Sequence, residues 1–152
     1  EYSRIFRIKD NKAKLNCFKN KLLKDNKYNF KIGNTPVLYT SREVIIFEND
    51  KDEIYFNNSL ANFISEVVAD LKNEIGYLIS KGGITSNLIL SNGFKADFVY
   101  LHGQILTGIS LVTLQLSNNE NLPMVTFPGN IGEKDSLAMV WAILENKNNP
   151  FN

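Results

Sequence analysis

Apolar positions along this chain recur with two different periods, and the places where the period changes divide it into elements. From Asn11 to Lys24, Leu15, Phe18 and Leu22 share one face among lysines, which predicts an amphipathic helix. Leu60, Phe63, Ile64, Val67, Val68, Leu71 and Ile75 fall at i, i+3, i+4, i+7, i+8, i+11 and i+15 behind Ser59 as a cap. This is the strongest helix, closed by Gly76. Leu137, Val140, Trp141 and Leu144 predict a last helix near 135–147, and a brief one is expected over 85–92 with Gly93 at its C-terminal end.

Shorter apolar runs predict strands: SRIFRI (3–8), YLIS (77–80), ADFVYLHG (96–103), ILTGISLVTLQL (105–116) and PMVTF (123–127). KIGNTP breaks the chain ahead of the apolar PVLY and EVIIF, which flank TSR, and the polar run ENDKDE (48–53) is expected to be a surface loop. Strands alternating with helices predict an α/β fold, a layered α/β/α domain with a mostly parallel or mixed central sheet. No repeat or inner linker interrupts residues 1–152, so one domain is expected.

Charge changes this picture little. Seventeen Lys+Arg against sixteen Asp+Glu leave a formal net charge of +1, which gives no global attraction to nucleic acid. Lys9, Lys12, Lys14, Lys19, Lys21, Lys24 and Lys27 crowd the first thirty residues, where they read as a solvated helix face rather than a polyanion site. The single cysteine, Cys17, excludes an internal disulfide and a multi-thiolate metal site, so a cytoplasmic location is expected. No apolar run is long enough for a membrane span. Because the chain opens at Glu1 in mid-pattern, a fragment of a longer protein is expected.

Two places share one layout: YLIS before KGGITS, and PMVTF before PGNIGEKDS, each an apolar strand, a glycine-rich turn and a helix start. In open α/β sheets, ligands settle at the carboxyl ends of strands, where exposed N–H groups and helix N-termini favour anions. Gly82 and Gly83 clear the approach, Thr85 and Ser86 offer hydroxyls or a cap, and Lys81 is the available cation. The same residues also suit a tight turn with a cap, and Lys81 equally suits a surface ion pair. GQILTGIS (103–110) matches the phosphate-loop pattern except that Ile109 replaces its lysine, so a Walker-type site is rejected. His102 stands alone, and packing or a backbone hydrogen bond is its expected role. Asp135 reads as a first-turn helix acid rather than a magnesium ligand.

YTSRE (39–43), KGGITS (81–86), GQIL-G (103–108) and FPGNIGE (127–133), in that order, resemble the C-terminal nucleotide-binding domain of the four-carbon acid sugar kinases. The likeness runs from about Pro36 to Leu144. It implies ATP with Mg2+ as the phosphoryl donor, and a sugar acid such as threonate, erythronate or an oxo-tetronate bound on a separate N-terminal domain. It implies that Gly82, Gly83, Ile84, Thr85 and Ser86 meet the phosphates, with Lys81 beside them. Gly103, Gln104, Gly129, Asn130 and Gly132 would surround the nucleotide. That family's Asp-Asp motif has no counterpart here, and the segment after KGGITS is NLILSNGF instead of an alanine-rich helix.

The chain is therefore expected to supply a nucleotide cradle with no catalytic residue and no metal ligand of its own, inactive alone, with ATP or ADP as partner and a homodimer as one assembly. Two other readings stay open. One is a non-catalytic nucleotide- or phosphate-binding interaction module, and the other is an enzyme whose glycine turns hold the phosphate of a phosphorylated sugar.

Overall fold

The computed structural model describes residues 12–41, 44–116 and 120–146, so SRIFRI and Arg42 lie outside the described residues. The chain forms two compact units, 1–74 and 75–152.

The first unit holds helices α1 (Lys12–Lys31) and α2 (Asp50–Leu71). Helix α1 runs past the predicted Lys24 and buries no residue completely. Its contact with α2 rests on Phe18 stacked on Phe63, with ring centroids 5.7 Å apart. Ion pairs from Lys19 to Glu66 at 3.2 Å and Asp70 at 2.9 Å, and from Lys27 to Glu74 at 3.1 Å, flank that contact. The lysine-rich face is thus partly neutralised by the neighbouring helix. Around Lys19, burial lowers the ammonium's affinity for its proton, but hydrogen bonds and charge from Asp70 and Glu66 outweigh that and raise its pKa above 10.5.

Helix α2 corrects the expected surface loop at 48–53. Asn49 is the N-cap, its side chain accepting from the Asp52 N–H at 3.0 Å, and Asp50, Asp52 and Glu53 occupy the first turn. An amide cap followed by three acids complements the positive helix N-terminus, which favours starting the helix before the first apolar residue. Further along, Phe63, Val67 and Leu71 of the predicted stripe are buried, joined by Ala61 and Ser65. The described residues of 34–41 and 44–48 form neither helix nor strand, and Val37, Tyr39, Val44 and Ile46 are exposed.

The second unit is a four-stranded sheet in the order β1-β4-β3-β2, with β1 (Leu78–Lys81), β2 (Tyr100–Leu106), β3 (Ile109–Gln115) and β4 (Asn121–Phe127). Strand β1 pairs with β4 in parallel and the other two pairings are antiparallel, so the sheet is mixed. The stretch 105–116, expected to be one extended run, is instead folded by a turn at Thr107-Gly108 into the β2–β3 hairpin. Gly108 N–H donates to Gln104 Oε1 across that turn at 2.9 Å.

Met124 and Val125 are consecutive and both wholly buried, so both faces of β4 are covered. On the Val125 face, Ile109, Val125 and Phe127 pack with Val140 of α4 (Ser136–Leu144), and Ile79, Leu111 and Leu144 join the cluster. On the other face, α3 (Gly83–Leu88) stands over β1 through Ser86 and Ser80. It runs on into a wide turn of π-helix at Ile89–Gly93, close to the predicted 85–92. His102 is exposed, and its Nε2 lies 2.7 Å from Thr113 Oγ1, so a side chain on the paired strand takes the place of the expected packing or backbone partner.

Candidate functional site

Strands β1, β4 and β2 all point the same way, so their carboxyl ends meet at one end of the sheet. That topology collects three glycine-bearing segments that are far apart in the chain: KGGITS after β1, PGNIG after β4, and the Thr107-Gly108 turn after β2. The first two are in direct contact. Lys81 is paired with Phe127 in the parallel ladder, and the Gly82 N–H donates to the Phe127 carbonyl at 2.8 Å. The third approaches through Ile131, whose Cγ2 would lie 3.2 Å from a Cβ placed on Gly108.

The backbone of the first turn needs glycine at one position. Gly82 has φ 106 and ψ 128, outside the range that L side chains adopt readily. That conformation turns the chain abruptly from β1 into α3, whose first intrahelical bond is Ser86 N–H to the Gly82 carbonyl at 2.9 Å. The N–H groups of Gly83, Ile84 and Thr85 precede that bond and find no acceptor among the described residues. Gly83 and Ile84 are exposed and Thr85 is half-buried.

In the second turn, the N–H groups of Gly129, Asn130 and Gly132 also find no acceptor among the described residues. Its far end is tied down, with Glu133 N–H donating to Ser136 Oγ at 2.7 Å and Ser136 N–H to the Glu133 carbonyl at 3.1 Å. Asp135 takes the N-cap position of α4 without making a side-chain capping bond. Two sets of uncommitted backbone donors on adjoining turns make an arrangement suited to a polyanion.

The predicted residues fall into distinct positions. Gly82, Gly83, Ile84 and Thr85 line the first turn, and Gly129, Asn130 and Gly132 the second. Ser86 is buried, and its hydroxyl donates inward to Ser80 Oγ at 3.0 Å, anchoring the helix start to the strand. The Lys81 ammonium donates to the carbonyls of Pro128 at 3.1 Å and Gly129 at 3.3 Å, and lies 4.3 Å from the centroid of the Phe127 ring. Gly103 sits on β2 beside a register shift, and Gln104 spends its carbonyl oxygen on the hairpin turn. Thr40 and Ser41 belong to the other unit.

Sequence reasoning missed Ser80, Thr126 and Ser110, which the register places side by side in one row ending at Gln104. Apolar Met124 and Val112 occupy the corresponding place in a row deeper in the sheet. The available signal was a hydroxyl one or two places before each strand end or just after a strand start, in YLIS, VTF and GIS.

Among the described residues, no group of three or more His, Cys, Asp or Glu side chains could hold a metal. Those residues therefore offer no ready-made side-chain cluster of that kind to Mg2+. No helix among the described residues is long and apolar enough to cross a membrane.

Comparison with known proteins agrees with this architecture. Two crystal structures of a domain of unknown function (DUF1537) from Bordetella bronchiseptica, both domain-swapped dimers with bound citrate, share the fold at a TM-score of 0.58. They are 20% and 22% identical over 82% and 83% of this chain, which spans 30% and 31% of theirs. No curated protein matches. The sequence profile of the nucleotide-binding C-terminal domain matches residues 9–137. With most of its length covered by that profile, the chain belongs to the nucleotide-binding C-terminal domain family.

Proposed function

We propose that this chain is the ATP-binding part of a kinase that phosphorylates a four-carbon sugar acid of the threonate, erythronate or oxo-tetronate type. The observation that carries the proposal is the junction of the two glycine turns, with unpaired N–H groups on both, at the carboxyl ends of the parallel strands β1 and β4. In this reading Gly83, Ile84 and Thr85 donate to phosphate oxygens, and Gly82 sets their direction. Ser86 fixes the turn through Ser80. Gly129, Asn130 and Gly132 form the second wall, with Gly103 and Gln104 further along the nucleotide.

Phosphoryl transfer depends mainly on positioning and charge stabilisation, which preorganised N–H groups supply without reorganising. Mg2+ would arrive with the nucleotide, neutralising its phosphates. The acceptor hydroxyl and the base that orients it are assigned to a domain outside this chain, so the chain alone is expected to bind nucleotide without turning over sugar acid. A homodimer and a cytoplasmic location complete the proposal. The first draws support from the domain-swapped relatives, the second from the lone free Cys17.

Calorimetric titration with MgATP, ADP and adenosine tests the reading. Heat with ATP and ADP but not adenosine is the expected result. No heat with any of them, or tighter binding of a sugar phosphate than of ATP, would overturn it.

A further inference from the structure

Lys81 was expected to neutralise phosphate, yet its ammonium is already engaged. It reaches across from the end of β1 to the carbonyls of Pro128 and Gly129, at 3.1 and 3.3 Å, and rests 4.3 Å from the centroid of the Phe127 ring. The two carbonyls open the PGNIG turn, and the ring ends the strand before it. Phe127 is itself buried and held in the sheet, so the ring is a fixed platform for the cation. A carbonyl oxygen that bonds a cation is directed toward it, and the N–H of the same peptide unit points the opposite way because the peptide is planar. The carbonyls of Pro128 and Gly129 share their peptide units with the N–H groups of Gly129 and Asn130. The lysine therefore orients two of the turn's uncommitted donors.

We infer that Lys81 is a positioning residue: it brackets the PGNIG turn to the end of β1 and aims that turn's N–H groups, without contacting phosphate. This rests on the proposed nucleotide site and adds to it the reason why the second wall is ordered before a ligand arrives. Few other restraints reach the turn's first half. Among the described residues, Gly129 and Asn130 have no other hydrogen-bond partner, and both are exposed.

The two roles differ in what they predict. A direct phosphate ligand matters more as phosphates are added, and it does not govern the free protein. A bracket weakens AMP, ADP and ATP by the same factor and shows itself with no nucleotide present. The experiment compares the full chain with Lys81→Met and Lys81→Arg by backbone amide NMR order parameters across 127–133 without ligand, and by titration with AMP, ADP and ATP.

Expected for Lys81→Met are lower order parameters at Gly129 and Asn130 and an affinity loss of about 3- to 10-fold that is equal for the three nucleotides. Such a loss is in line with an exposed charge-assisted contact. Lys81→Arg, able to donate to both carbonyls, should recover most of the order. Unchanged order parameters in Lys81→Met, or a loss that grows from AMP to ATP, would overturn the inference. If the order parameters fall while the unaltered protein binds no nucleotide, the bracket stands and the nucleotide reading fails.

Discussion

Gly132 and Phe127 are in contact at a distance that admits no side chain on the glycine: a Cβ there would lie 2.8 Å from Phe127 Cζ and 2.9 Å from Cε1. The ring is buried and cannot withdraw, and Gly132 has φ 102. Gly132→Ala therefore meets both a clash and backbone strain. It is expected to cost about 2–4 kcal/mol of stability, read as a lower urea midpoint, and to lower ATP affinity by reshaping the second turn.

The two adjacent glycines of the first turn should separate folding from binding. Gly82→Ala places a methyl group at φ 106 and is expected to cost about 1–3 kcal/mol. Gly83 has no positive φ and open space around it, so Gly83→Ala should leave stability unchanged or raise it by up to about 1 kcal/mol. In the proposed site phosphate approaches over this turn, so the added methyl group is expected to lower ATP affinity about tenfold or more. Melting curves and calorimetric titration of both variants check this. Unchanged affinity in Gly83→Ala would remove that turn from the site.

Thr85 and Ser86 are neighbours with opposite duties. The Ser86 hydroxyl is buried against Ser80, so Ser86→Ala should cost about 1–2 kcal/mol and reduce stability and affinity together. Thr85 Oγ1 has no partner among the described residues. Thr85→Val keeps the shape of the side chain and is expected to weaken ATP with little change in the melting temperature. A melting-temperature drop in Thr85→Val as large as in Ser86→Ala would reverse the assignment.

Lys19 gives a prediction for the helical unit. Its pKa is raised in the folded state, so its contribution is fully present below the unfolded value of 10.5 and is lost as pH rises through the higher folded one. Lys19→Met should cost about 1 kcal/mol or less at neutral pH, since Glu66 and Asp70 are substantially exposed. The gap between the two proteins should persist to about pH 10 and close above it. Urea unfolding at rising pH, followed by circular dichroism, tests this. A gap that widens in alkali would contradict the sign.

What could be read in advance follows from how local its causes are. Phe63, Val67 and Leu71 announced α2 because a repeat of apolar side chains needs no distant partner to be visible. The start of that helix was missed because Asn49 and the acids after it look like a loop until the cap bond to Asp52 N–H is known. The Thr107-Gly108 turn was hidden within a continuous apolar run, where only the pairing of Leu106 with Ile109 shows the reversal. At the site, KGGITS and PGNIG were both recognisable from glycine and strand composition. Their junction depends on the parallel register of β1 with β4, and the inward turn of Ser86 on burial, neither of which composition records.

The pairing of Lys81 with Phe127 also has a consequence for the order of assembly. Strands β2, β3 and β4 are neighbours in the chain and can zip together by short loops, whereas β1 must wait for β4, the last of these four to be made. During synthesis, then, the segment bearing KGGITS emerges first and docks last. The cradle for an anion comes into being only when the sheet closes, and a nascent chain halted before Phe127 would have neither its second wall nor the strand that holds the first in place.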